Sequence, residues 1–293
     1  MALEAGLAWL EAEARAGWSA IRLDSRGECR EPDAFHIALV AETVWALGHS
    51  QPGWSGRARR LVEGAARKLD AFQAPGTGGG YRFWQDRGAA DLDDTALALR
   101  VRDLAGLPRL PTAKLVDLFG RCRVHGELAG PSRWAARFGG VYLSWLGAGP
   151  PVVDALVNQN VLRCLRQLDA AEVPGFRQAV TMLSALRDVP WRDRYAPYYA
   201  ARELRAWASN TPTGLLQRQQ ADGGWPAIAT CRDLGGQPHW RSRAVATAFA
   251  LSRLGTGRPP PLLSGVLFAE PAYQAAAPTA RPRHCSTETL LPC

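Results

Sequence analysis

The sequence predicts an all-α protein whose helical hairpins close into an α/α barrel, and three observations carry that expectation. Apolar residues recur at helical spacing along most of the chain, and convincing period-two runs of β-branched residues are lacking. Helices with one charged face alternate with helices that are apolar or small nearly all round. A glycine pair and an aromatic residue precede an inner helix twice: GGGYRFW at 78–84 before TALAL at 95–99, and DGGW at 222–225 before TAFAL at 247–251.

Taken in order, helices are expected at about 4–16, 34–48, 57–73, 92–105, 112–122, 152–168, 173–188, 195–208, 212–220 and 241–255. The segment 57–73 carries Arg57, Arg59, Arg60, Glu63, Arg67, Lys68 and Asp70, so it can bury only one side. AFHIALVAETVWAL (34–47), DDTALAL (93–99) and RAVATAFAL (243–251) have no wet face and must be enclosed. Outer and inner helices alternate about five times at a period of roughly 45 to 60 residues, as in a helical-hairpin repeat. In each copy glycine permits a tight turn and alanine permits close helix approach.

A ring of parallel inner helices would open all their N-termini to one mouth. Asp33 and His36; Asp91, Asp93 and Asp94; Asp154, Asn158 and Asn160; Tyr195, Tyr198 and Tyr199; and Arg241 and Arg243 would become neighbours there. One domain spans 1–257, followed by a Pro/Ala-rich tail at 258–293 that begins with the prolines at 259–261.

The formal charge of +8 fits either a solvated surface or a basic mouth that draws in a phosphorylated small molecule. Only Lys68 and Lys114 are lysine, the arginines are scattered, and no block of like charge appears, which argues against a nucleic-acid partner. Six widely spaced cysteines lack CxxC or zinc-ligand spacing and read as reduced thiols. No signal peptide is evident, and no apolar run reaches the ~18 residues of a membrane span. The expectation is a cytoplasmic protein, with peripheral membrane contact to collect a greasy ligand.

The tight acidic cluster is DLDD at 91–94, at the entry to an inner helix. One aspartate there is an ordinary N-cap. Three exceed what capping needs, and their mutual repulsion favours a carboxyl that keeps its proton at neutral pH. Beside an apolar, aromatic-lined cavity, such a group is a general acid able to protonate an alkene or an epoxide. Aromatic faces would hold the resulting cation, and Tyr81, Phe83 and Trp84 lie just before the cluster. Each reads equally well as packing between hairpins.

DLDDTA resembles the DxDDTA acid motif of class II terpene cyclases, the squalene-hopene cyclase group. LLQRQQADGGW at 215–225 is similar to their glutamine and tryptophan repeat, with Gln219, Gly223 and Trp225 in register. GGGYRFW and SRAVATAFAL resemble segments of that superfamily's α/α barrel, the terpenoid cyclase and prenyltransferase-like toroid. The likeness spans about 33–255. It implies that Asp93 delivers the proton, that Asp91 and Asp94 orient it, and that Thr95 completes the helix start. A linear isoprenoid would be cyclised through a carbocation that ends by deprotonation or water capture. Protonation needs no metal, whereas a diphosphate-bearing substrate would bring Mg2+. The resemblance also implies two barrel domains, and this chain has room for one, so a homodimer or a second subunit closing the cavity is an open alternative.

His36 stands near the start of an inner helix as either a ligand contact or a hydrogen-bonded core residue. Asn158, Asn160, Tyr198 and Tyr199 could bond the acid cluster or satisfy loop backbone. Arg241 and Arg243 could clamp a diphosphate or lie on the surface. Competing functions are a non-catalytic isoprenoid-binding partner protein, a glycoside hydrolase, and a zinc-dependent prenyltransferase-like enzyme. The glycosidase wants a second acidic group across the site, and Cys231, Asp233 and His239 imitate a zinc set only weakly.

Overall fold

A computed structural model describes residues 1–18, 21–24, 27–147, 149–186, 195–232, 238–258 and 260. Helix α1 (Ala2–Arg15) is followed by the hairpin β1 (Ile21–Asp24) and β2 (Gly27–Arg30), then α2 (Ala34–Ser50) and α3 (Ser55–Leu69). Next come the short pair β3 (Tyr81–Arg82) and β4 (Ala90–Asp91), α4 (Leu92–Leu104) and α5 (Thr112–Gly120). A 3-10 segment Gly130–Phe138 leads to α6 (Ala155–Gln167) and α7 (Phe176–Leu186). The described chain continues through α8 (Ala201–Ala208), α9 (Pro212–Gln217), β5 (Ile228–Arg232), β6 (Pro238–Ser242) and α10 (Arg243–Thr256). The fold is mostly helical, as expected.

The helices expected to lack a wet face are enclosed. α2 is buried on every side from Ala34 to Val44, α4 from Asp94 to Val101 and α10 from Ala244 to Ser252. They pack in the order α10, α2, α4, α6, while α1 and α3 lie outside them, α3 with an exposed arginine-bearing face. Each inner start is capped by a short polar side chain: Asp33, Asp91, Asp154 and Ser242 accept from the first-turn amides of α2, α4, α6 and α10. Burying a helix end requires such partners for its free N–H groups. One ionic group crosses this interior, where Glu42 of α2 meets Arg100 of α4 at 2.5 Å and Arg163 of α6 at 3.4 Å.

The repeat rests on a specific hydrogen bond. The backbone amide of Tyr81 donates to Thr95 Oγ1 (2.8 Å), and that of Trp225 donates to Thr247 Oγ1 (3.0 Å). The aromatic residue directly after each glycine pair is thereby tied to its inner helix. A third copy pairs the Tyr142 amide with Asn158 Oδ1 (3.0 Å), after Gly139 and Gly140. Sequence comparison missed it because Val141 separates the glycines from the ring and Asn replaces Thr. Gly223 has φ +91, and a Cβ there would sit 2.6 Å from the carbonyl oxygen of Ala5, so both backbone shape and space demand glycine.

Three expectations need correction. The three antiparallel hairpins β1–β2, β3–β4 and β5–β6 were not foreseen, because strands of two to five residues are too short to display a period of two. The helix expected at 195–208 starts only at Ala201. Pro197 lacks an amide, Tyr198 N bonds the Asp154 carboxylate, and Tyr199 pairs with Cys231 in a bridge to β5. The expected helix at 241–255 begins at Arg243, since Arg241 and Ser242 belong to β6. Most of the tail at 258–293, and Asp233, lie outside the described residues, as does the end of the 173–188 helix beyond Leu186. Among the described residues no helix is long and apolar enough to cross a membrane.

Candidate active site

A cavity of about 790 Å3 lies where the starts of α2, α4 and α6 meet the segment before α8 and the β5–β6 hairpin. Its polar wall is Asp91, Asp93 and Asp94. Facing them are Phe35, Phe83, Trp84, Trp145, Tyr198, Tyr199 and Trp240. The Phe83 and Trp84 rings meet at 4.2 Å, tilted by 45°, with Trp240 against both at 5.7 and 5.2 Å. These rings give the hollow a largely apolar lining with a polar edge.

The three aspartates divide their work. Asp91 Oδ1 accepts the amide of Asp94 at 2.8 Å as the N-cap of α4. Burial raises its carboxyl to about 6, opposed by hydrogen bonds from the Asp94 side chain and from backbone amides. Asp94 is held well above the usual carboxylate range by burial, then by the Asp91 charge. Asp93 does no capping. Its Oδ1 accepts from Asn160 Nδ2 at 2.8 Å and its Oδ2 from the Tyr199 hydroxyl at 2.5 Å. Burial, then the Asp91 charge, pushes Asp93 to about 8, while the Tyr199 and Asn160 bonds work against that rise. At neutral pH Asp93 is therefore mainly protonated, yet two donors are in place for its anion.

A fourth buried carboxyl, Asp154, is raised to about 7 by burial. It accepts the amides of Leu156, Val157 and Tyr198. Those bonds consume it as a cap, whereas both oxygens of Asp93 are held by the side chains of Asn160 and Tyr199.

The structure separates the other candidate residues. Phe83, Trp84, Tyr198 and Tyr199 line the cavity, and Asn160 stands behind Asp93, donating also to Tyr199 Oη at 3.0 Å. Tyr198 accepts from Trp145 Nε1 at 2.8 Å. Tyr81 does not line the hollow: tied to Thr95, its ring is buried in the helix core near Arg102 and Asp70. Asn158 is two residues from Asn160 yet fully occupied by the Tyr142 amide and carbonyl and the Asp154 carbonyl. His36 is a buried link, with Nδ1 2.6 Å from Asp33 Oδ2 and Nε2 2.6 Å from Thr230 Oγ1.

Neither expected arginine reaches the cavity. Arg241 is exposed on β6, where alternation along the strand turns Trp240 inward instead. Arg243 stacks on Trp9 and pairs with Asp222 at 2.9 Å, and its Nε donates to the Trp225 carbonyl. Arg87 and Arg232 line the hollow in their place. Arg87 lies 5.1 Å over Trp84 and pairs with Glu31 and Asp86, and Arg232 Nε donates to the Tyr199 carbonyl at 2.7 Å. Sequence reading missed Phe35, Trp145 and Trp240. Trp240 had a readable signal, an aromatic two residues before the Ser242 cap.

No family model matches the chain, and no curated protein matches it. A solved structure described as a crystal structure of a protein from Actinoplanes is 20% identical, covering 87% of this chain and 98% of that one, with a TM-score of 0.42. Similarity at that level assigns neither fold nor activity.

Proposed function

We propose that the chain is a class II, protonation-initiated terpene cyclase of α/α-barrel type, acting on a linear isoprenoid in the cytoplasm. The observation that carries this reading is the buried Asp93 carboxyl, bonded by Tyr199 and Asn160 and facing an aromatic hollow, and burial that pushes it to about 8 favours its acid form. In the proposed step Asp93 gives its proton to a terminal alkene or epoxide. The π pair of the alkene takes the proton, or a lone pair of the epoxide oxygen takes it as the C–O bond opens, and a tertiary cation forms. Tyr199 and Asn160 stabilise the carboxylate left behind, each by about 1.5–3 kcal/mol, the range for hydrogen bonds to a charged group. Ring faces such as Trp84 and Trp240 stabilise the migrating cation by about 0.5–2 kcal/mol each in a desolvated site. Loss of a proton or capture of water ends the sequence. The protonation itself calls on no metal, and a diphosphate-bearing substrate would bring Mg2+ with it.

The test is incubation with farnesyl diphosphate, geranylgeranyl diphosphate and squalene in deuterium oxide, followed by mass spectrometry. The reading expects a cyclic product, isomeric or hydrated, carrying deuterium at the carbon first protonated. Tight binding of an isoprenoid with no turnover of any of the three would overturn it and favour a carrier.

A further inference from the structure

A second hollow, of about 630 Å3, shares no lining residue with the acid cavity and lies between the end of α1 and one face of α3. Its rim carries Arg15, Arg57, Arg60, Arg67 and Lys68 against one carboxylate, Glu11. On α3 the positions 57, 60, 64, 67 and 68 share one side through three- and four-residue spacing. Gly64 at the centre of that stripe leaves the floor open, and Trp18, buried and held at φ +62, forms the back.

Nearby carboxylates are taken by other arginines. Arg57 binds Glu4 at 2.6 Å and Glu11 at 2.8 Å, and Arg59 binds Glu63 at 2.9 Å. Among the described residues no carboxylate lies within ion-pairing distance of Arg15, Arg60, Arg67 or Lys68. Arg15 and Arg60 share the field of Glu11 at longer range, and the excess of cations around one hollow repels itself within a Debye length of about 10 Å. The carbonyl end of α1 opposes an anion there, so the positive field comes from side chains alone.

We propose that this cleft binds a small molecule bearing two or more adjacent phosphate groups. Guanidinium forks match phosphate oxygens in pairs, and adjacent phosphates can engage several cations at once. The volume falls within the range of roughly 300–1,000 Å3 typical of small-molecule sites, and a concave cleft suits such a ligand better than a flat membrane.

The probe is inorganic pyrophosphate, titrated calorimetrically into the full chain at constant ionic strength, with orthophosphate for comparison. Saturable 1:1 binding is expected, weakened at least about tenfold by Arg60→Gln with Arg67→Gln, a loss of about 1.4 kcal/mol. Arg133→Gln with Arg202→Gln removes the same charge from exposed sites elsewhere and should change affinity less than about twofold. Equal losses in both pairs would reduce the effect to net charge and overturn the proposal, as would no saturable binding. Tighter binding of ATP or of farnesyl diphosphate, sensitive to the Arg60 and Arg67 pair, would support it and identify the source of the phosphates. Binding to phosphatidylglycerol vesicles that excess pyrophosphate fails to displace would assign the cleft to a membrane surface instead, and overturn it.

Discussion

The Tyr199 hydroxyl donates to Asp93 Oδ2 over 2.5 Å, joining residues 106 positions apart in the chain. Asn160 closes the triangle by donating to both. The carboxyl that burial pushes up to about 8 is thus the same one whose anion already has two donors, a combination suited to giving up a proton and surviving the charge.

Asp93→Asn keeps the size of the side chain and removes the acid. Product formation should fall at least about 10²-fold, with circular dichroism unchanged. An active Asp93→Asn enzyme would mean that another group supplies the proton.

Tyr199→Phe removes one donor to the Asp93 anion without touching the proton itself. Because that hydrogen bond holds the pKa of Asp93 down from a still higher value, its loss should move the alkaline limb of the rate profile upward from about 8. The maximal rate should drop by roughly ten- to a hundredfold, matching about 1.5–3 kcal/mol for a bond to a charged acceptor. A profile that shifts downward would contradict this arrangement.

Stability should depend on pH through the same buried acids. Asp93, Asp154 and Asp91 are raised from 3.8 to about 8, 7 and 6. The folded state therefore holds protons that the unfolded chain releases, and their stabilising effect is complete below about 4 and lost as pH rises through about 8. Glu4, Glu11 and Asp222 are shifted downward and contribute in the opposite sense only at the acidic end. Melting temperatures at constant ionic strength should fall between pH 5 and 8.5, and Asp93→Asn should flatten the slope above pH 7. A rising melting temperature over that interval would refute the assignment.

Asn158 and Asn160 should separate by assay. Asn158→Ala strands the Tyr142 amide and carbonyl in the interior, and should cost about 2–4 kcal/mol of unfolding free energy. Asn160→Ala withdraws a donor from Asp93 and should lower turnover about tenfold or more with a smaller effect on stability. Denaturant melts combined with single-turnover kinetics would show whether the two losses fall on different axes.

Much of this molecule is local in origin and therefore readable along the chain. The small and apolar run at 34–47, interrupted by His36 and Glu42, marks an enclosed helix, and the Gly-Gly-aromatic elements at 79–81 and 223–225 mark the turns before α4 and α10, because helix period, glycine freedom and capping act over a few residues. The density of carboxylates at 91–94 likewise marks a place where burial and mutual repulsion raise their pKa values. What the tertiary structure alone decided is which neighbours share a wall. Asn160 faces Asp93 while Asn158 faces a loop, and Tyr199 enters the site because Pro197 and the pairing with β5 delay the start of α8. Arg87 and Arg232 stand where Arg241 and Arg243 were expected, since alternation in β6 and the Asp222 pair turn those two away. Such outcomes depend on contacts between segments a hundred residues apart, and single-chain periodicity carries no record of them.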